Sequence, residues 1–255
     1  MQRLEERIPE LDAMRRYPET LYALGDLSLL KRPKISIVGT RTPTPYTKAL
    51  TFDLASRLSK VGICIVSGAA MGVDAAAHQG ALDGGTIAVM GNGLDIRYPA
   101  VNGGLIAAIE QQGLTLSQFE PGFRATQWSF VVRNEIVTAL GEVLIVAQAD
   151  PGSGSLKSAE FAMKMGRPIF VLPQRLGESE GTAQLVREGK AETIHDIDAF
   201  VERFALTAKS AGDPLLEFCR TSPTFEEAVA RFGTQVYDYE LEGRIEIVAG
   251  KIRVR

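Results

Sequence analysis

Short apolar, β-branched runs recur along most of the chain, each followed by small polar residues and then by an amphipathic segment. The runs at residues 35–38, 63–66, 86–90, 114–117, 143–147 and 169–172 are apolar at nearly every position. That pattern suits parallel strands buried on both faces. The segments between them carry apolar residues at helical spacing. After residue 46, Leu50, Leu54, Leu58 and Val61 form one stripe. After residue 155, Leu156, Ala159, Ala162, Met163 and Gly166 share a face opposite Lys157, Glu160 and Lys164. Strand–helix alternation of this kind predicts an α/β fold with a doubly wound, mostly parallel sheet. The strand ends place at least four polar turns along one edge of it.

Those turns carry the candidate chemistry. The first, residues 39–46, is Gly39-Thr40-Arg41-Thr42-Pro43-Thr44-Pro45-Tyr46, stiff and rich in hydroxyls. Arg41 leaves the carboxyl end of a strand, where open α/β sheets place their ligands, and a guanidinium there suits bidentate contact with phosphate. The alternative is a surface arginine paired with a carboxylate. The turn after residue 147 contains Gly152-Ser153-Gly154-Ser155 and opens a helix. Its glycines admit close backbone approach, the helix N-terminus presents unpaired N–H groups, and Ser153 and Ser155 add hydroxyls. The turn is suited to an oxyanion, most simply phosphate, although a tight turn with a serine cap fits the same residues. In the second unit, Ser67-Gly68-Ala69-Ala70-Met71-Gly72-Val73-Asp74 precedes a small-residue helix. Asp74 and His78 lie one helical turn apart and read as a capping carboxylate and a hydrogen-bonded histidine, since no nucleophile accompanies them. Residues 120–130 read as an aromatic-rich loop containing Gln127, Trp128 and Phe130. At least one ring is expected in the core, with Phe130 the one near a base. Exposed rings beside a phosphate-binding edge suit single-stranded nucleic acid, whose bases stack without sequence preference.

The remaining segments set the domain plan. Residues 1–34 form an extension packed on the main domain, with a short strand and turn at residues 17–26, 35–205 form the α/β domain, and 206–212 a linker. Residues 213–255 predict three helices and a hairpin, the order of a winged helix. The third helix, where a duplex reader needs Lys or Arg, holds Asp238, Glu240 and Glu242. Protein contact is therefore the expected role of this part.

Composition narrows the classes further. The 255 residues are 45% hydrophobic with net charge −3, so any nucleic-acid role rests on a local patch. Two cysteines without metal spacing fit a reducing, cytoplasmic setting and predict no metal and no cofactor. No apolar run reaches the ~20 residues of a membrane helix.

Taken together, Gly39-Thr40-Arg41 with Tyr46, the run from Ser67 to His78, Gly91-Asn92-Gly93-Leu94-Asp95 with Tyr98-Pro99, Arg133-Asn134, and Ser153-Gly154-Ser155-Leu156 resemble the DNA processing protein A (DprA, or Smf) family over about residues 17–205. The resemblance implies an extended Rossmann domain that binds single-stranded DNA. It also implies a homodimer that loads RecA recombinase during natural transformation without catalysing a reaction. By motif match the DNA-binding pocket falls on Gly39, Arg41, Ser67, Gly68, Phe130, Arg133, Asn134, Gly154 and Ser155. Thr40, Gln127, Ser153 and Lys157 join it as neighbours in the same segments. Two positions depart from the family pattern: Thr47 stands for a glycine, and Glu135 for an arginine beside the expected groove. A second class, the lysine decarboxylase-like (LOG) nucleoside-monophosphate phosphoribohydrolases, requires a glutamate where this chain has Ser158, and Glu160 falls on another helical face. An NAD-dependent oxidoreductase would need a Gly-x-Gly-x-x-Gly turn after the first strand, which is missing.

Overall fold

The computed structural model describes residues 1–211, 214–248 and 250–254. The chain divides into two compact units, Met1–Ala205 and Leu206–Arg255.

The larger unit is built on a nine-stranded sheet. Its strands are β1 (Gln2–Arg3), β2 (Tyr22–Gly25), β3 (Lys34–Val38), β4 (Cys64–Gly68), β5 (Thr86–Val89), β6 (Leu114–Ser117), β7 (Leu144–Val146), β8 (Ile169–Val171) and β9 (Glu192–Thr193). Their order is β1-β2-β6-β5-β4-β3-β7-β8-β9. The seven strands from β6 to β9 run parallel, and β2 and β1 add antiparallel strands at one edge. The expected doubly wound, mostly parallel Rossmann-like sheet is thus present. The chain winds outward from β3 through β4, β5 and β6, then returns to lay β7 on the other side of β3. The crevice between the ends of β3 and β7 is the point where strand order reverses, the usual place for a ligand in such sheets.

Every residue of β3 to β8 is buried, which explains why most of these strands read as largely apolar runs. The helices are α1 (Pro45–Lys60), α2 (Val73–Ala81), α3 (Gly103–Gln112), α4 (Gln127–Leu140), α5 (Gly154–Lys164), α6 (Glu180–Arg187) and α7 (Ile197–Ala211). α1 packs on α2, and α4 on α5, in two groups that follow the two windings.

Several expectations are corrected. The extension before β3 packs on the domain by continuing its sheet: β2 falls in the expected strand at residues 17–26, β1 is an added strand, and a short 3-10 turn follows each. Lys34, at the start of β3, is 3% exposed, and its Nζ donates to the carbonyls of Leu30 (2.7 Å) and Arg32 (2.9 Å). It also pairs with Glu10 at 2.5 Å. The buried residues of α1 are Thr47, Thr51, Leu54, Ala55, Leu58 and Ser59, while Leu50 and Val61 are half-buried. On α5 the buried residues are Ser155, Ser158, Ala159 and Ala162, and Met163 and Gly166 are exposed. In both helices small or hydroxyl residues take core positions that a hydrophobicity reading gives to larger ones. Residues 206–211, read as linker, continue α7. Gly212 and Asp213 lie outside the described residues.

The smaller unit contains α8 (Pro214–Cys219), α9 (Phe225–Phe232), α10 (Gln235–Leu241) and the antiparallel hairpin β10 (Ile245–Val248) and β11 (Lys251–Val254). This is the three-helix-and-wing order. Its core is Leu215, Leu216, Cys219, Ala228, Val236, Tyr239, Ile245 and Ile252. Ala249, in the expected turn, and Arg255 lie outside the described residues.

Candidate nucleic-acid interface

The strand-order reversal places two turns side by side. Thr40 N–H donates to the Gln148 carbonyl at 2.8 Å, which ties the turn after β3 to the turn after β7. A groove of about 580 Å³ opens there. Its lining includes Gly39, Thr40 and Arg41 from the first turn, Gly68 from β4, Gln127, Phe130, Arg133 and Asn134 from α4, and Ser153, Gly154, Ser155 and Lys157 from α5. These are all the candidate residues but one. Ser67 is fully buried, and its hydroxyl donates to the Ile37 carbonyl at 2.6 Å, so it braces β4 against β3 and does not line the groove.

The α5 end of the groove is short of partners. Ser153 is the N-cap residue by backbone position, but its hydroxyl makes no capping bond and is buried without any partner among the described residues. Ser158, fully buried one turn further on, also has an unpartnered hydroxyl and lines the groove. The serine-cap alternative is therefore not realised. An unpaired buried hydroxyl costs about 1–3 kcal/mol, a penalty that an oxygen-rich ligand would relieve. Gly152 precedes them with φ +78°, a conformation that favours glycine, and open space lies where its Cβ would be. Gly39 has a different reason: a Cβ there would stand 2.5 Å from a methyl of Val73, so it serves the packing of α2.

The two arginines differ in role. Arg41 is exposed, with its guanidinium carbon 5.5 Å from the centre of the Phe130 ring, and makes no ion pair among the described residues. Arg133 is 5% exposed and largely engaged, donating to the Val89 carbonyl at 2.5 Å and to Asn134 Oδ1 at 3.1 Å. Burial lowers its pKa, opposed by Asp74 and reinforced by Arg41. Arg133 thus fixes the base of the groove, beneath Phe130 at 5.8 Å, while Arg41 presents an open cationic fork. Lys157 lines the rim and is paired with Glu160 at 2.8 Å. Glu135 does not oppose this charge: it is not among the lining residues, and its Oε1 accepts from Arg15 N–H at 3.1 Å.

Asp74 is the carboxylate among the described lining residues. It is 6% exposed, burial raises its pKa against the pull of Arg133, and it accepts from Ala70 N–H at 3.3 Å. His78 binds elsewhere. Its neutral ring donates from Nε2 to the Gly68 carbonyl at 2.5 Å, and Nδ1 faces the Thr86 hydroxyl at 2.7 Å. Burial depresses its pKa to about 4. The two residues hold the end of β4 in place and form no catalytic couple.

The aromatic segment departs most from expectation. α4 begins at Gln127, closed by a reciprocal capping box between Thr126 and Ser129, so Gln127 to Phe130 are helical. Neither Trp128 nor Phe130 is core. Trp128 is 63% exposed and Phe130 half-buried, while Phe119 (7% exposed) takes the core position and stacks on Phe123 at 4.4 Å. Phe130 lies against Gly91, where a Cβ would come within 2.8 Å of the ring, and Tyr98 stacks near it at 6.0 Å and 27°.

The family model described as DNA recombination-mediator protein A matches residues 3–205. The chain is 40% identical over 189 residues to a DNA processing protein DprA of Streptococcus pneumoniae, covering 72% of this chain and 67% of that one. It is also 40% identical over 185 residues to the protein Smf of Synechocystis, covering 69% and 46%. The chain spans about half the length of several curated relatives that it matches. Among solved structures, DNA processing protein A from Helicobacter pylori, described for its single-stranded DNA binding mode, aligns with TM-score 0.79 and 44% identity. That alignment covers 81% of this chain and 96% of that one.

Proposed function

Because the chain belongs to the DNA recombination-mediator protein A family, we propose that its groove binds the sugar–phosphate backbone of single-stranded DNA without cleaving it. The observation that carries this reading is the exposed, unpaired Arg41 guanidinium sharing one groove with the uncapped N-terminus of α5 and its unpartnered serine hydroxyls. Arg41 and the α5 amides hold phosphate, and the half-buried Phe130 ring takes a base. The hydrolase reading has little support. Ser158 stands where its glutamate would act, and Asp74 is buried, raised in pKa and held by a backbone amide.

In the wider reading, the protein is a cytoplasmic homodimer that protects incoming single strands and loads RecA recombinase onto them in natural transformation. The smaller unit offers protein contacts in that scheme. Among the described residues no helix is long and apolar enough to cross a membrane.

Titrating the protein with labelled single-stranded and duplex oligonucleotides at two salt concentrations tests the core of this reading. Tighter single-strand binding that weakens steeply with salt is expected. Equal affinity for both forms, or release of free base from adenosine monophosphate, would overturn it. The recombinase step is read from the rate of RecA filament formation on coated single strands, which the protein should raise.

A further inference from the structure

The carboxyl edge of the sheet is a row of stations set out in strand order. The end of β7 supplies the serine turn and the end of β3 supplies Arg41. The end of β5 supplies Gly91, on which the Phe130 ring rests. The end of β6 leads to Phe119, and beside it stands Trp128, its ring centre 5.9 Å away in an edge-on contact. Adjacent strands are about 4.8 Å apart, so Trp128 occupies the station one strand beyond Phe130. The indole remains 63% exposed, and Val131, its neighbour one helical turn on, is 42% exposed and lines the groove. Arg124, in the loop leading to α4, is also exposed and in no ion pair among the described residues.

We propose that Trp128 is a second stacking platform, taking the base next along from the one at Phe130 as a single strand leaves the groove. The inference rests on the single-strand reading above. Residues two apart on a helix do not face each other, so Trp128 and Phe130 cannot clamp one base and must address two. Val131 makes the apolar surface continuous between the groove and the indole. The contact with Phe119, itself anchored on Phe123, holds the indole at the surface, where a base can cover it.

The chain has a single tryptophan, so its emission reports this station alone. The full chain is titrated with an oligothymidylate carrying a terminal fluorophore, reading anisotropy and tryptophan emission in parallel. Emission should fall in step with the rise in anisotropy. Trp128→Ala should weaken binding about tenfold, in line with the loss of one base stack, while Trp128→Phe stays within about twofold of the parent. Thermal unfolding of both variants should match the parent, because the side chain is exposed. Saturated anisotropy with unmoved emission, or undiminished affinity in Trp128→Ala, would remove Trp128 from the strand's path and leave the groove intact. No anisotropy change at all would overturn both the groove and the platform.

Discussion

The two units use similar residues to different ends. In the larger one, Arg41 stands exposed at a strand end and the first turn of α5 has no side-chain cap. In the smaller one, α9 is closed by a capping box between Thr224 and Glu227, Arg231 lies 4.9 Å over Phe218, and Arg244 lies 3.8 Å over Tyr239. α10, placed where a duplex-reading helix would sit, contributes Asp238 and Glu240. Counting charges separates these units poorly. What distinguishes them is the company each arginine keeps: Arg231 and Arg244 lie over rings in a unit whose α9 is capped, whereas Arg41, which also lies near a ring, shares its groove with the uncapped first turn of α5.

The largest test of that contrast is Arg41→Ala. It should lower single-strand affinity ten- to a hundredfold, in line with the ~1.5–3 kcal/mol of a hydrogen bond to a charged group, and reduce the salt slope by about one. Arg253→Ala, on the exposed side of the hairpin, should change neither; equal losses from both would erase the contrast.

Acid separates the units next. His78 is buried with a pKa near 4 against 6.5 in the unfolded chain, and the sequence beyond residue 205 holds no histidine. Between those values the unfolded state binds the proton and the native state does not. The stability is therefore present above about pH 6.5 and is lost as pH falls toward 4. Moving from pH 7.5 to 5 should cost the larger unit about 2 kcal/mol from this residue. Asp74, raised by burial, works in the opposite direction. Urea unfolding followed by tryptophan emission, with His78→Gln as reference, isolates the histidine: a parent pH slope no steeper than the variant's would contradict the assignment.

Ser153→Ala comes third. Its hydroxyl has no partner among the described residues, so the melting temperature should hold while single-strand affinity falls about fivefold, roughly the ~1 kcal/mol of a net hydrogen bond. A drop in melting temperature with unchanged affinity would make it a structural serine. The smallest expected effect is removal of residues 213–255, which should leave single-strand affinity within about twofold; near-total loss would place part of the grip in the acidic unit.

The central sheet was legible because the strands from β3 to β8 are buried on both faces and are mostly apolar, and the groove lining because small polar turns follow at their carboxyl ends. The misreadings have local causes. The start of α4 was hidden because Ser129, not glutamate or glutamine, closes the capping box at Thr126. At least one of the Trp128 and Phe130 rings was expected in the core, yet Phe119, stacked on Phe123, takes that place. Ser67 carried the right motif, but its hydroxyl serves the Ile37 carbonyl, a contact between strands that no local pattern announces. β1 is two residues long, too short for periodicity to distinguish from loop.

Lys34 fixes how far this molecule can be trimmed. Its ammonium sits below the surface, and the carboxylate beside it belongs to Glu10, outside the parallel strands. A shortened version starting beyond Glu10 would strand that charge without its counter-ion at the foot of β3, at a cost of about 3–5 kcal/mol. The strand that delivers Arg41 therefore depends on a stretch of chain that lies outside the groove lining, and trimming that stretch should lower the stability of the groove without removing any residue from it.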